Sequence, residues 1–89
     1  MVRDALQSAS ALLREAADAA SGESAERLQT QADQFAKHAE SDRGPDHGRL
    51  AKHERILKDV ADAEGGEVEA KIDEAIEKIH EYRSTLAGV

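Results

Sequence analysis

Cysteine and tryptophan are missing from this chain, and the aromatic side chains number two, Phe35 and Tyr82. The lack of cysteine excludes a disulfide framework, thiolate chemistry and any cysteine-based zinc spacing. Long apolar runs are absent too. The opening Met1-Val2-Arg3-Asp4 leads straight into a charged amphipathic pattern, with neither a signal h-region nor a membrane span, so a soluble, cytoplasmic protein is expected and no membrane partner. There is one proline, Pro45, and lysine is scarce: Lys37, Lys52, Lys58, Lys71 and Lys78 are the only five. Nineteen acidic residues against twelve basic ones give a net charge of −7. An acidic, lysine-poor surface keeps a chain hydrated in concentrated salt, where a Debye length of about 3 Å or less screens its self-repulsion. A halophilic setting is therefore expected.

What is present is a near-repetition. A shift of 44 residues lays Leu12-Leu13-Arg14-Glu15-Ala16-Ala17-Asp18-Ala19 onto Ile56-Leu57-Lys58-Asp59-Val60-Ala61-Asp62-Ala63, with Leu6 on Leu50, Gly22-Glu23 on Gly66-Glu67, Arg27-Leu28 on Lys71-Ile72 and Phe35 on Ile79. Each half, 1–44 and 45–88, reads as helix, glycine turn, helix. At 89 residues the chain is one domain, 1–89, with room for a modest core but not for a deep enclosed active site. Apolar residues make up 39%, many of them alanine, a shortage that a second chain would relieve.

The apolar spacing predicts four helices. The first carries Leu6, Ala9, Leu13, Ala16 and Ala20, starting at an Asp4 cap with Gln7 completing a capping box. The second carries Ala25, Leu28, Ala32, Phe35 and Ala39 from a Ser24 cap, with Gln29, Gln31, Asp33, Gln34 and Lys37 on other faces. Pro45, within the hinge 41–48, cannot continue the second helix, and Asp46 caps the third, whose stripe is Leu50, His53, Leu57, Val60 and Glu64. Gly65-Gly66 break the chain before the fourth, where Val68, Ile72, Ala75, Ile79, Tyr82 and Leu86 alternate by four and three. Matched helices and short turns give an all-α, up-and-down four-helix bundle of two tandem hairpins. The fourth stripe, Val68, Ile72, Ile79, Tyr82 and Leu86, is the expected surface for self-association into a dimer or for another protein.

Reactive groups are few. The four histidines, His38, His47, His53 and His80, lack the i, i+4 spacing of a two-histidine site, and His47 and His53, six apart, point to different sides of one helix. Glu77-Lys78-Ile79-His80 reads Glu-x-x-His, but its repeat partners are Asp33 and Ala36, so the second copy a di-iron bundle needs is missing. No metal and no cofactor is expected. Ser8, Ser10, Ser21 and Ser24 have no base or oxyanion donors assembled around them, and the glycine pair is followed by acids rather than Lys-Ser or Lys-Thr. No catalytic residue and no enzymatic activity are expected.

Charge is placed unevenly. Arg43, Arg49, Lys52, Arg55 and Lys58 face only Asp46 and Glu54 between positions 43 and 58, a net of +3, which leaves −10 on the rest of the chain. Arg43, His47, Arg49, Lys52 and His53 are the candidate ligand residues, able to grip a phosphate or carboxylate at the hinge; pairing with acids on a neighbouring helix or subunit is the plainer alternative. His53, which stands where Ala9 stands in the first half, is either a polar plug satisfied by a backbone carbonyl or a ligand-facing, pH-sensitive position. The absence of stacking aromatics argues against a nucleic-acid partner.

The run Asp42-Arg43-Gly44-Pro45-Asp46-His47-Gly48-Arg49-Leu50-Ala51-Lys52-His53-Glu54, with Ala63-Glu64-Gly65-Gly66-Glu67-Val68 after it, resembles a family of small, uncharacterised haloarchaeal helical proteins. The resemblance covers nearly the whole chain and implies a helical fold in a halophilic cytosol; it carries no activity and no site residues. Two functions remain on the residues alone: a non-enzymatic interaction or structural module, and a small-ligand or anion sensor at the basic hinge around Arg49, Lys52 and His53.

Overall fold

Alternating apolar spacings, interrupted at glycines and at the single proline, produce four helices in the computed structural model, which describes residues 3–86: α1 (Arg3–Ala19), α2 (Gly22–Glu40), α3 (His47–Glu64) and α4 (Gly66–Arg83). An 18-residue helix is about 27 Å long, and the longest dimension of the molecule is 36 Å, so the helices run side by side. α1 lies against α2 and α4, and α3 against α4 and α2, whereas α1 and α3, like α2 and α4, stand across the diagonal. This is the expected up-and-down bundle, with no strand among the described residues.

The breaks follow local chemistry. Gly22 and Gly66, equivalent under the 44-residue shift, both have left-handed backbone, φ 59° and 55°, and each opens the second helix of its hairpin. Only glycine takes that conformation without strain. α2 begins at Gly22 behind an Ser21 cap that makes no side-chain bond, so the expected Ser24 cap lies inside the first turn. Asp4 likewise sits within α1, as a first-turn acid at the positive end of the helix dipole. Asp46 does cap α3: its carboxylate accepts the Arg49 amide at 2.8 Å. In the linker, the Ser41 hydroxyl accepts from the Arg43 and Gly44 amides at 3.3 Å, a local turn that carries the chain to a buried Pro45.

Leu6, Ala9, Leu13, Leu28, Ala32, Phe35, Leu50, Leu57, Val60, Ile72, Ala75 and Ile79 are sealed from solvent and form one core. The α1 and α2 seam is rich in alanine, which lets the backbones approach until the Ser10 hydroxyl donates across it to the Ala32 carbonyl at 2.8 Å. Two stripe assignments change: Glu64 is exposed and Gln31 is buried, and Glu54, outside the expected stripe, is buried as well. A third change concerns the surface expected to meet a second copy. Val68, Ile72, Ile79 and Tyr82 belong to the chain's own core and Leu86 is partly buried against it, because the neighbouring helices cover the α4 stripe from within the chain. No helix among the described residues is long and apolar enough to cross a membrane.

Candidate functional site at the hinge end

All four histidines gather at one end of the bundle, since the C-termini of α2 and α4 and the N-terminal half of α3 meet there. They divide into two networks on opposite sides of α3, as the six-residue separation of His47 and His53 requires. Toward α2, His53 Nδ1 lies 2.6 Å from Gln31 Oε1, and His53 Nε2 lies 3.1 Å from His38 Nε2. An amide oxygen only accepts, so His53 carries its proton on Nδ1, its Nε2 is an acceptor, and His38 donates from Nε2. The Phe35 ring closes over both imidazoles, with centroids 4.6 Å from His53 and 5.9 Å from His38. His53 is thus a polar plug whose partners are two side chains, not the backbone carbonyl expected from the sequence.

Toward α4, buried Glu54 accepts from Arg83 Nη1 at 2.8 Å and from His80 Nε2 at 3.0 Å, while Arg83 Nε donates to His47 Nδ1 at 3.2 Å. Glu77, the first residue of the Glu-x-x-His element, is exposed, and His80 turns away to Glu54. Among the described residues no group of three or more histidine or carboxylate side chains could hold a metal ion.

Protonation follows from these surroundings. Burial, then the nearby charges of His38 and Arg49, push His53 down to about 4. Burial and, after it, Arg49 lower His38 as well. For Glu54, burial alone would raise its affinity for a proton, but the hydrogen bonds from Arg83 and His80, with their charges, outweigh it and leave the carboxyl below its usual value.

Two clefts flank Arg49. One of about 580 Å³ is lined by His38, Arg43, His47 and Arg49 along with Asp46 and Leu86. The other, about 550 Å³, runs along the α2 and α3 seam and brings Arg49, Lys52 and His53 together beside Gln34 and Ile56. All five expected ligand residues therefore line these clefts, though not as one set, and both ring nitrogens of His53 are already engaged. Arg43, Arg49 and Lys52 enter no ion pair among the described residues, so pairing with acids on a neighbouring helix of the same chain is not what is found. Arg55 and Lys58 lie apart, in a shallower groove with Glu54 and Arg83.

His38 and Gln31 escaped the sequence reading, although a signal for both was present. Under the 44-residue shift Gln31 falls on Ala75 and His38 on Tyr82, two members of the inner α4 stripe. Glu54 falls on Ser10, which is also buried. No curated protein and no solved structure matches this chain. A family of unknown function, DUF7553, matches residues 1–85, and the chain belongs to that family.

Proposed function

We propose that this protein is a non-enzymatic binding module whose working surface is the basic hinge end, and that it recognises an anionic group, a phosphate or carboxylate, at Arg49, with Arg43 in the cleft on one side and Lys52 in the cleft on the other. The observation that carries this reading is that these three cations are unpaired among the described residues and converge on two clefts of a chain with a net charge of −7. Evolutionarily neutral surface charge would have many acids to pair with here; a guanidinium left free beside a cleft is suited to bidentate grip on an oxyanion. The α4 stripe supports no competing surface, being covered within the chain. A non-enzymatic role is supported by the hydroxyls: of Ser8, Ser10, Ser21 and Ser24, Ser10 alone is buried, and it is spent on the Ala32 carbonyl. The acidic, lysine-poor surface supports a cytoplasm rich in salt as the setting.

Calorimetry and thermal shift with inorganic phosphate, sulfate and nucleotides test the reading. Potassium chloride would run from about 0.2 M to about 2 M, over which the Debye length falls from about 7 Å to about 2 Å. The expected result is a raised melting temperature that weakens with salt and is lost in Arg49→Gln. If no oxyanion raises the melting temperature at any salt level, the reading is wrong.

A further inference from the structure

The larger hinge cleft has a feature that simple charge attraction does not use. His38 lines it together with Arg43, His47 and Arg49. Its Nε2 is committed, as donor, to His53 Nε2 at 3.1 Å, and His53 is held in the accepting tautomer by Gln31 at 2.6 Å. The remaining nitrogen, His38 Nδ1, forms no hydrogen bond among the described residues. A proton added to that nitrogen leaves every existing bond of the network in place, because Nε2 keeps donating and His53 remains neutral. The result is a cationic donor on a residue that already lines the cleft.

Building on the anion-binding reading, we infer that an oxyanion bound in this cleft is taken up together with one proton, which resides on His38 Nδ1. The charged and titratable groups around His38 are few. From α2 itself it meets the Phe35 ring; from the linker, Arg43 and the Asp46 carboxylate share its cleft; from α3 come His47, Arg49 and His53. Arg83 of α4 donates to His47 behind the cleft wall, so His47 Nδ1 is occupied and cannot take the proton without losing that bond. Without a ligand, burial and the positive charge of Arg49 disfavour a second charge on His38. An anion beside Arg49 neutralises that field and offers an acceptor, so proton and anion each favour the other's binding. The Gln31, His53 and His38 chain thus acts as a positioning relay, fixing which His38 nitrogen is left to take the proton.

Sulfate is the suitable probe, because unlike phosphate it does not itself titrate near neutral pH. Isothermal calorimetry in two buffers of different ionisation enthalpy should show uptake of close to one proton per sulfate. The dissociation constant should fall with acidification by up to about tenfold per pH unit, the limit for one coupled proton. His38→Gln should still bind sulfate but with no proton uptake and a flat pH profile, whereas His47→Gln should keep the uptake. Sulfate binding to the unaltered protein without proton uptake, or uptake that vanishes in His47→Gln and survives in His38→Gln, overturns the inference and leaves the anion-binding reading standing. Absence of sulfate binding at any pH overturns both.

Discussion

The seam between α1 and α4 and the seam between α2 and α3 correspond under the 44-residue shift, yet they are built in opposite ways. Ala9 and Ala75 on the first fall on His53 and Gln31 on the second. Both alanines are fully buried in a close, apolar contact surface, with Lys71 reaching Glu15 at 3.0 Å along its rim. The histidine and glutamine are buried too, but as a hydrogen-bonded pair, and α3 touches α2 sparsely. Side-chain volume accounts for the difference: two methyl groups let helices close to the short end of the usual 8–10 Å interaxial distance, while an imidazole and an amide in line hold them apart. The apolar seam stabilises the bundle. The polar seam, satisfied in its hydrogen bonds but looser in its packing, leaves clefts and carries the proton-sensitive groups.

Breaking the apolar side should have the largest effect. Leu13→Ala or Ile72→Ala, each removing a fully buried side chain, should cost about 2–5 kcal/mol in urea unfolding. Ile56→Ala, at a half-exposed position beside the α2 and α3 cleft, should cost under about 1.5 kcal/mol. Equal losses would erase the distinction between the seams.

Acid should act first on the polar side. His53 binds a proton at about 4 in the folded protein against 6.5 when unfolded, so the unfolded chain is protonated first as pH falls. Its contribution is complete above about pH 6.5, drains away between 6.5 and 4, and is then exhausted, up to about 3 kcal/mol in all. Glu54 acts in the same direction but lower: with its value reduced below 4.5, its stabilisation is present above that pH and is lost as pH falls through the folded value. Thermal melts at half-unit intervals should therefore show a decline that starts near neutrality, before carboxylates titrate.

Next in size is the hydrogen bond between Gln31 and His53. Gln31→Leu leaves a buried imidazole N–H without an acceptor and should cost about 1–3 kcal/mol. The double variant Gln31→Leu, His53→Leu makes the second seam apolar like the first; it should recover most of that loss and flatten the decline between pH 6.5 and 4, as seen in melts of both proteins. The smallest effect belongs to the exposed contacts of Arg14 with Asp33 at 3.0 Å and Gln29 at 3.2 Å. Arg14→Ala should change stability by less than about 1 kcal/mol, less still in high salt.

Leu13, Leu57, Ile72 and their periodic neighbours were legible in the sequence because apolar spacing and burial are one signal. Pro45, Asp46 and the glycine pair marked their breaks for equally local reasons. Glu54, Gln31 and His38 were hidden because a hydropathy pattern assigns polar residues outward, and burial of such groups depends on partners contributed by other helices. The repeat register held the missing information: the buried α4 positions Ile72, Ala75, Ile76 and Ile79 fall on Leu28, Gln31, Ala32 and Phe35, all buried in α2. Arg43, Arg49 and Lys52 were legible as a basic cluster, but their freedom from ion pairs was not, since it depends on where the acids of α2 and α4 come to lie.

The most direct test is an NMR titration of the histidine rings, with long-range nitrogen correlations to read tautomers. The expected result is a His53 that carries its proton on Nδ1 at neutral pH and titrates at about 4. A His53 that carries its proton on Nε2, or titrates near 6.5, would contradict a seam built around a buried, neutral imidazole.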